Sequence, residues 1–207
     1  MPATSVTQPD PPVLGTRQIQ RLQTRVRLFD AALAEISRSG LAGADVAAIA
    51  ATAGVARGTF YFHFPTKEHV LVELERAEEA TIVAELSARP GGSGDLMSAL
   101  RLLVRHVLDA ERRLGPVVFR DMLGLHFSAT RPVEDALDEH PLAEFLVAAI
   151  GVAQDAGRVS RDAEAGELAV IFLTGLFALL ATGAASGLRD TLLDRYVTTV
   201  VQGMEMR

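Results

Sequence analysis

Arg57, Thr59, Tyr61 and His63 place a guanidinium, a hydroxyl, a phenol and an imidazole within seven consecutive residues, and the Lys67 ammonium follows shortly after. Donors of these kinds suit phosphate oxygens and base edges. A guanidinium at Arg57 can bond bidentately to guanine or to phosphate, and at Gly58 no side chain keeps the backbone away from a duplex. The Thr59 hydroxyl and methyl suit a base edge or a thymine methyl, while the Tyr61 hydroxyl and the Lys67 ammonium suit phosphates. His63 has two readings, a phosphate bond or a cap on the end of its own helix.

Two short helices must position these groups. The first is expected over 46–52 with Asp45 as its cap, the second over 57–62, and Gly54 supplies the positive φ of the sharp turn between them. Ala47, Ile49, Ala50 and Val55 are small or apolar enough for the two to cross closely. Such a pair is a helix-turn-helix, whose second helix can lie in a major groove. Phe60 and Phe64 read as core residues wedging that helix in place, and Phe62 reads either way.

The segment 17–74 resembles the N-terminal domain of the tetracycline-repressor (TetR) family of transcriptional regulators. The resemblance rests on Ile49-Ala50, Ala53-Gly54-Val55, Gly58-Thr59-Phe60-Tyr61, His63-Phe64 and Lys67-Glu68, in the family's order and spacing. It implies an all-α homodimer, commonly a repressor, that binds a palindromic double-stranded DNA operator and answers to a ligand. Two positions depart from the pattern. Ala44 to Ala47 stand where relatives often carry threonine and a longer polar residue, and Ala56 stands where serine is common. Both changes shift the expected contacts toward Arg57, Lys67 and the basic first helix.

Charge is divided in the way such a reader needs. The net charge of −6 conceals seven Lys/Arg against three acids in residues 14–67 and thirteen against twenty-two in residues 68–207. A basic head on an acidic body presents one end to DNA. The first helix, expected over 17–39 with Thr16 as cap and Gly40 as stop, carries Arg17, Arg21, Arg25 and Arg27, which suit either phosphates or a solvated face. Its Ile19, Leu22, Val26, Phe29, Ala32, Leu33 and Ile36 recur at helical spacing and are expected as the floor under the reader.

The expected organisation is a disordered lead over 1–14, a DNA-binding domain over 15–66 and a helical regulatory and dimerisation domain over 67–207. A fourth helix over 67–88, capped by Thr66, would link head to body. Arg89-Pro-Gly-Gly-Ser-Gly94 reads as a loop, followed by helices over 95–114, 116–130 and within 133–157. Two more, over 163–185 and 189–204 and separated by Ser186-Gly187, are expected to pair two copies of the chain as a four-helix bundle. The apolar first member would expose Val170, Leu173, Phe177 and Leu180 for that purpose. Its glycines, its threonines and the lack of a basic flank favour a buried interface helix over a membrane span.

In the body, Met97, Leu100, Val104, Phe119, Met122, Leu123, Phe127, Phe145, Phe172 and Leu176 are the apolar candidates for the lining of an effector pocket, with His126 and His106 as polar candidates. The resemblance implies a small, largely apolar effector; control by a protein partner, or by no small molecule, is the alternative. No cofactor or metal is expected, since cysteine is absent and no His/Glu metal spacing occurs. No nucleophile elbow or phosphate-binding glycine loop points to an enzyme, although Ser128, His126 and Asp121 are the right types for a triad. The absence of cysteine and of a secretory signal fits the cytoplasm.

Overall fold

The computed structural model describes residues 15–88, 95–132, 140–182 and 186–205. Among them run α1 (Thr16–Gly43), α2 (Val46–Thr52), α3 (Arg57–His63), α4 (Glu68–Ser87), α5 (Leu96–Leu114), α6 (Pro116–Gly124), a 3-10 turn (Leu125–Phe127), α7 (Pro141–Asp155), α8 (Ala165–Ala181) and α9 (Ser186–Met204). A lone antiparallel bridge joins Val159 to Glu205. The all-α class expected from an Ala- and Leu-rich chain is the class observed. The lead over 1–14, the glycine-rich break over 89–94 and the start of the 133–157 segment lie outside the described residues.

Local chemistry sets the short elements. Asp45 caps α2 by accepting the Ala47 amide at 2.8 Å, and α2 ends at Thr52 as the sequence predicts. Gly54 turns the chain with φ 69°. Phe60 and Phe64 are buried against Leu28, Ala31, Ala32, Ile49, Ala53 and Val70, forming a small core that belongs to the head. Burial of each such aromatic contributes about 1.5–3 kcal/mol. Phe29 and Leu33 pack against this core and against the larger body core, so α1 is common to both.

Several expectations are corrected. Thr16 does not cap α1; Gly15 precedes the helix, and the chain kinks at Gly40 (φ 70°) before a last turn to Gly43. Only the second half of α1 is a floor: Ile19, Leu22 and Val26 are exposed, whereas Leu28, Ala31, Ala32 and Ile36 are buried. The head is too small to cover a helix of 28 residues. Thr66 does not cap α4, because its hydroxyl lies 3.0 Å from Nδ1 of His69. The sixth helix ends at Gly124 instead of near 130, giving way to the 3-10 turn, and α9 begins at Ser186 rather than after it.

The expected exposed patch on α8 is also different. Leu173, Phe177 and Leu180 are buried within the chain's own core, and Val170 and Ile171 are the exposed large apolar residues of that helix. On α9 the exposed members are Leu188 and Leu192. A helix apolar on every side gives no pattern by which sequence could tell the inner face from the outer.

The body is layered around α8, which packs on α6, α7 and α9. Polar ties fasten α9 to α5: Arg189 pairs with Glu111 and Arg101 with Asp194. Tyr196 donates its hydroxyl to the Phe172 carbonyl at 2.7 Å, and burial pushes the phenol pKa up to about 12. The ring lies where a Cβ on Gly175 would fall, 2.8 Å from Cζ and 2.9 Å from Cε2. Gly175→Ala is therefore expected to lower stability by about 1–3 kcal/mol in urea unfolding, the range for overpacking. Gly151→Ala, where a Cβ meets nothing within 4 Å inside α7, should instead raise it by about 0.5–1 kcal/mol.

Candidate nucleic-acid interface

The reader helix α3 divides cleanly. Phe60, His63 and Phe64 face inward, and Arg57, Gly58, Tyr61 and Phe62 face solvent. Arg57 and Tyr61, one turn apart, place a guanidinium nitrogen 3.4 Å from the phenol oxygen. A Cβ on Gly58 would meet no atom of the protein within 4 Å. The packing of the fold does not require glycine there. Thr59 is half-buried at the edge of the exposed face.

Two of the six sequence candidates are differently employed. His63 is 8% exposed, and burial together with the nearby Arg25 and Arg21 charges lowers its pKa, so the ring is held neutral in the core. Lys67 donates to the Ala42 carbonyl at 3.0 Å and to that of Ala44 at 3.3 Å, stapling the start of α4 to the α1–α2 connection. An ammonium has three donors, so one is left for a phosphate.

The basic first helix is likewise divided. Arg25 pairs with Glu73, donates to the His63 carbonyl and lies 4.2 Å over the Phe64 ring, which commits it to holding α1, α3 and α4 together. Arg17, Arg21 and Arg27 remain exposed, with Arg21 resting 5.1 Å over Phe62. Phe62 is 67% exposed beside Arg57 and Tyr61, which resolves its reading in favour of the surface.

The head is gripped from a second side. Asp121 on α6 accepts the Leu41 amide at 2.6 Å, just after the Gly40 kink. The connection 40–44 is thus held by a carboxylate from α6 and by an ammonium from α4. Ser128, His126 and Asp121 form no triad: the first bonds Thr130, the second Glu75 and the third Leu41.

In the body a recess of about 280 Å³ is lined by Glu79, His126, Phe127, His140, Ala143, Val170, Leu173, Thr174 and Phe177. A smaller void of about 20 Å³ that shares Glu79 and Phe177 with it touches Phe119, Met122 and Leu123. Five of the eleven ligand candidates therefore meet one cavity or the other. Met97, Leu100, Val104, Phe145, Phe172 and Leu176 line neither and pack in the core. His106 pairs with Glu85. Sequence reasoning missed Glu75, Glu79, Arg131 and His140. The available signal was the position of Glu75 and Glu79 on the apolar stripe of Leu71, Ile82 and Leu86 in α4.

A glycine-turned pair of helices with an open donor face, mounted on a larger helical body, defines the helix-turn-helix regulators. Residues 28–74 match the family model of bacterial regulatory proteins, tetR family. The chain is 35% identical over 89 residues to the HTH-type transcriptional regulator AcrR of Shigella flexneri, covering 42% of this chain and 41% of that protein. To the HTH-type transcriptional regulator BetI of Paraburkholderia phytofirmans it is 35% identical over 115 residues, 52% of this chain and 53% of the relative. The chain thus spans about half the length of these relatives. The fold is similar to that of Thermus thermophilus FadR, a TetR-family repressor solved with lauroyl-CoA, at TM-score 0.73 and 22% identity over 88% of this chain and 96% of that one. Residues 28–74 are thus similar to the DNA-binding segment of the TetR family of transcriptional regulators, and the larger helical body shares its fold with a solved member of that family. Among the described residues no helix is long and apolar enough to cross a membrane.

Gly58→Ala separates interface from fold. It should leave melting unchanged or slightly raised, since alanine is the better helix former by about 1 kcal/mol, yet weaken DNA binding at least about tenfold by standing between backbone and duplex. Lys67→Ala should lower stability by about 1 kcal/mol through two lost carbonyl bonds and reduce the slope of log affinity against log salt by about one. Normal DNA affinity in Gly58→Ala would remove that backbone from the contact surface.

Proposed function

We propose that this protein is a ligand-responsive transcriptional regulator of the repressor type, which binds a palindromic operator in double-stranded DNA as a homodimer and is released or modulated by a small effector held in the body. The single observation that carries the reading is the exposed face of α3, where Arg57, Tyr61 and the unobstructed Gly58 stand together while the fold itself requires none of them to be exposed. The separate head core supports a division into a DNA-binding domain of 15–66 and a regulatory domain of 67–207. Such a protein works where DNA is, in the cytoplasm.

Pairing through α8 and α9 is favoured by Val170, Ile171, Leu188 and Leu192, four large apolar side chains exposed on adjoining helices. The Tyr196 hydroxyl reaches the Ile171 carbonyl at 3.3 Å, and Leu192 precedes Tyr196 by one turn, so the two helices contribute to one surface. A second copy related by a two-fold axis would cover it. The two readers would then have to match major grooves about 34 Å apart, or a multiple of that distance.

Effector control follows from the walls of the recess. α4 contributes Glu79 to it and carries Lys67 at its head end; α6 carries Phe119, Met122 and Leu123 against the smaller void and Asp121 toward the head. An effector that fits one spacing of α4 and α6 better than another would move the 40–44 connection, and with it α2 and α3. It can act only through that difference in affinity, and operator must change effector affinity by the same factor.

The test is selection of duplexes from a random pool, followed by titration at fixed salt. The expected result is a two-fold symmetric site bound by two chains at least about a thousand times more tightly than unrelated duplex. Ile171→Asp combined with Leu192→Asp should raise the dimer dissociation constant by about a hundredfold in sedimentation, without a loss of helicity. An enriched site that lacks symmetry, or a wild-type chain that sediments as a monomer at micromolar concentration, would contradict the proposal.

A further inference from the structure

Two carboxylates one turn apart on α4, Glu75 and Glu79, are only 1% and 4% exposed in the middle of the body core. Carboxylates withdrawn from water are costly unless each is paired, so their partners identify their tasks. Glu75 is fully engaged: one oxygen meets Nε2 of His126, and the other accepts from Arg131 at 3.1 Å. Both of its oxygens are used within the fold.

Glu79 is held differently. One oxygen accepts the Leu142 amide at 3.3 Å, and the other stands 3.5 Å from Nδ1 of His140, beyond a good hydrogen bond. A carboxylate offers about four lone-pair positions, and the Leu142 amide takes one of them. Glu79 also forms part of the wall of the 280 Å³ recess.

The rest of that wall fits the same occupant. Phe177 and Phe127 present aromatic surface, and Thr174 presents a hydroxyl. Aromatic faces attract cations through their quadrupole. The His126 ring lies 4.7 Å from that of Phe177 and 6.3 Å from that of His140, so two imidazoles flank the opening beside Glu79. An acidic ligand would bring a second anion against Glu79, with Glu75 one turn away. A neutral ligand that displaced His140 would put no cation in its place. Resting on the reading of the body as an effector site, we infer that the recess binds a small apolar molecule carrying a protonated amine, with Glu79 as its counter-ion. The ammonium takes the place of His140 at the carboxylate oxygen that faces it, and the apolar part lies against Phe127, Leu173 and Phe177.

The test uses the full-length protein and three probes of equal chain length: octylamine, octanol and octanoate. Affinities come from calorimetry at pH 7.5 without DNA. A charge-assisted contact should make octylamine bind at least about tenfold more tightly than octanol, with octanoate weakest. In Glu79→Gln, which keeps shape and removes charge, the amine advantage should fall below about threefold while octanol affinity is retained. The wild-type ranking decides even if that variant does not fold. No octylamine binding, octanoate binding more tightly than octylamine, or an undiminished amine advantage in folded Glu79→Gln would each overturn the inference. Because the titrations contain no DNA, a chain that binds operator but not octylamine overturns this inference alone. One that binds octylamine but no operator overturns the regulator reading alone.

Discussion

The five residues 40–44, from the kink near the end of α1 to the residue before the α2 cap, carry the mechanical connection of this molecule. Gly40 turns out of the helix at φ 70°, the Leu41 amide is taken by Asp121 of α6, and the Ala42 and Ala44 carbonyls are taken by Lys67 at the start of α4. Asp45 then caps α2. In each of these contacts a charged side chain takes a backbone polar group near a helix end. The placement of α2, and through Gly54 of α3, is therefore dictated by two body helices. A Cβ at Gly40 would come within 3.3 Å of the Asp121 carboxylate, so the close approach of α6 as well as the positive φ favours glycine.

The same arrangement explains how some donors came to serve the fold instead of the surface. Arg25, His63 and Lys67 are of types that suit DNA, yet one is an internal clasp, one is buried and one is two-thirds committed to carbonyls. What remains on the outer face is Arg57, Gly58, Tyr61 and Phe62 on α3, with Arg17, Arg21 and Arg27 alongside. On the proposed function this is a compact reading face flanked by exposed cationic side chains for phosphates, on a head whose positive balance contrasts with the acidic body.

Sequence was most informative where short-range chemistry decides the structure. The Asp45 cap, the ends of α2, the Gly54 turn and the Phe60 and Phe64 wedge each depend on neighbours within a few residues. It was least informative where the deciding partner is remote. Nothing near Lys67 announces the Ala42 and Ala44 carbonyls, and nothing near Glu75 announces His126 and Arg131, more than fifty positions away. Periodicity assigns an acid in a helix to the outside, so the two buried glutamates of α4 were passed over although they lie on its apolar stripe. On α8 the difficulty was the opposite, because a helix apolar all round offers no pattern from which to choose between Phe177 and Ile171 as the outward residue.

The claim that the body holds the reader through the 40–44 connection is tested most directly by amide hydrogen exchange at Leu41. With its amide bonded to Asp121, Leu41 should exchange far more slowly than exposed backbone, and Asp121→Ala should accelerate exchange at Leu41 and throughout α2 and α3 while leaving α7 and α8 unchanged. A Leu41 amide that exchanges as fast as exposed backbone in the unaltered protein, or one that stays protected in Asp121→Ala, would contradict the account.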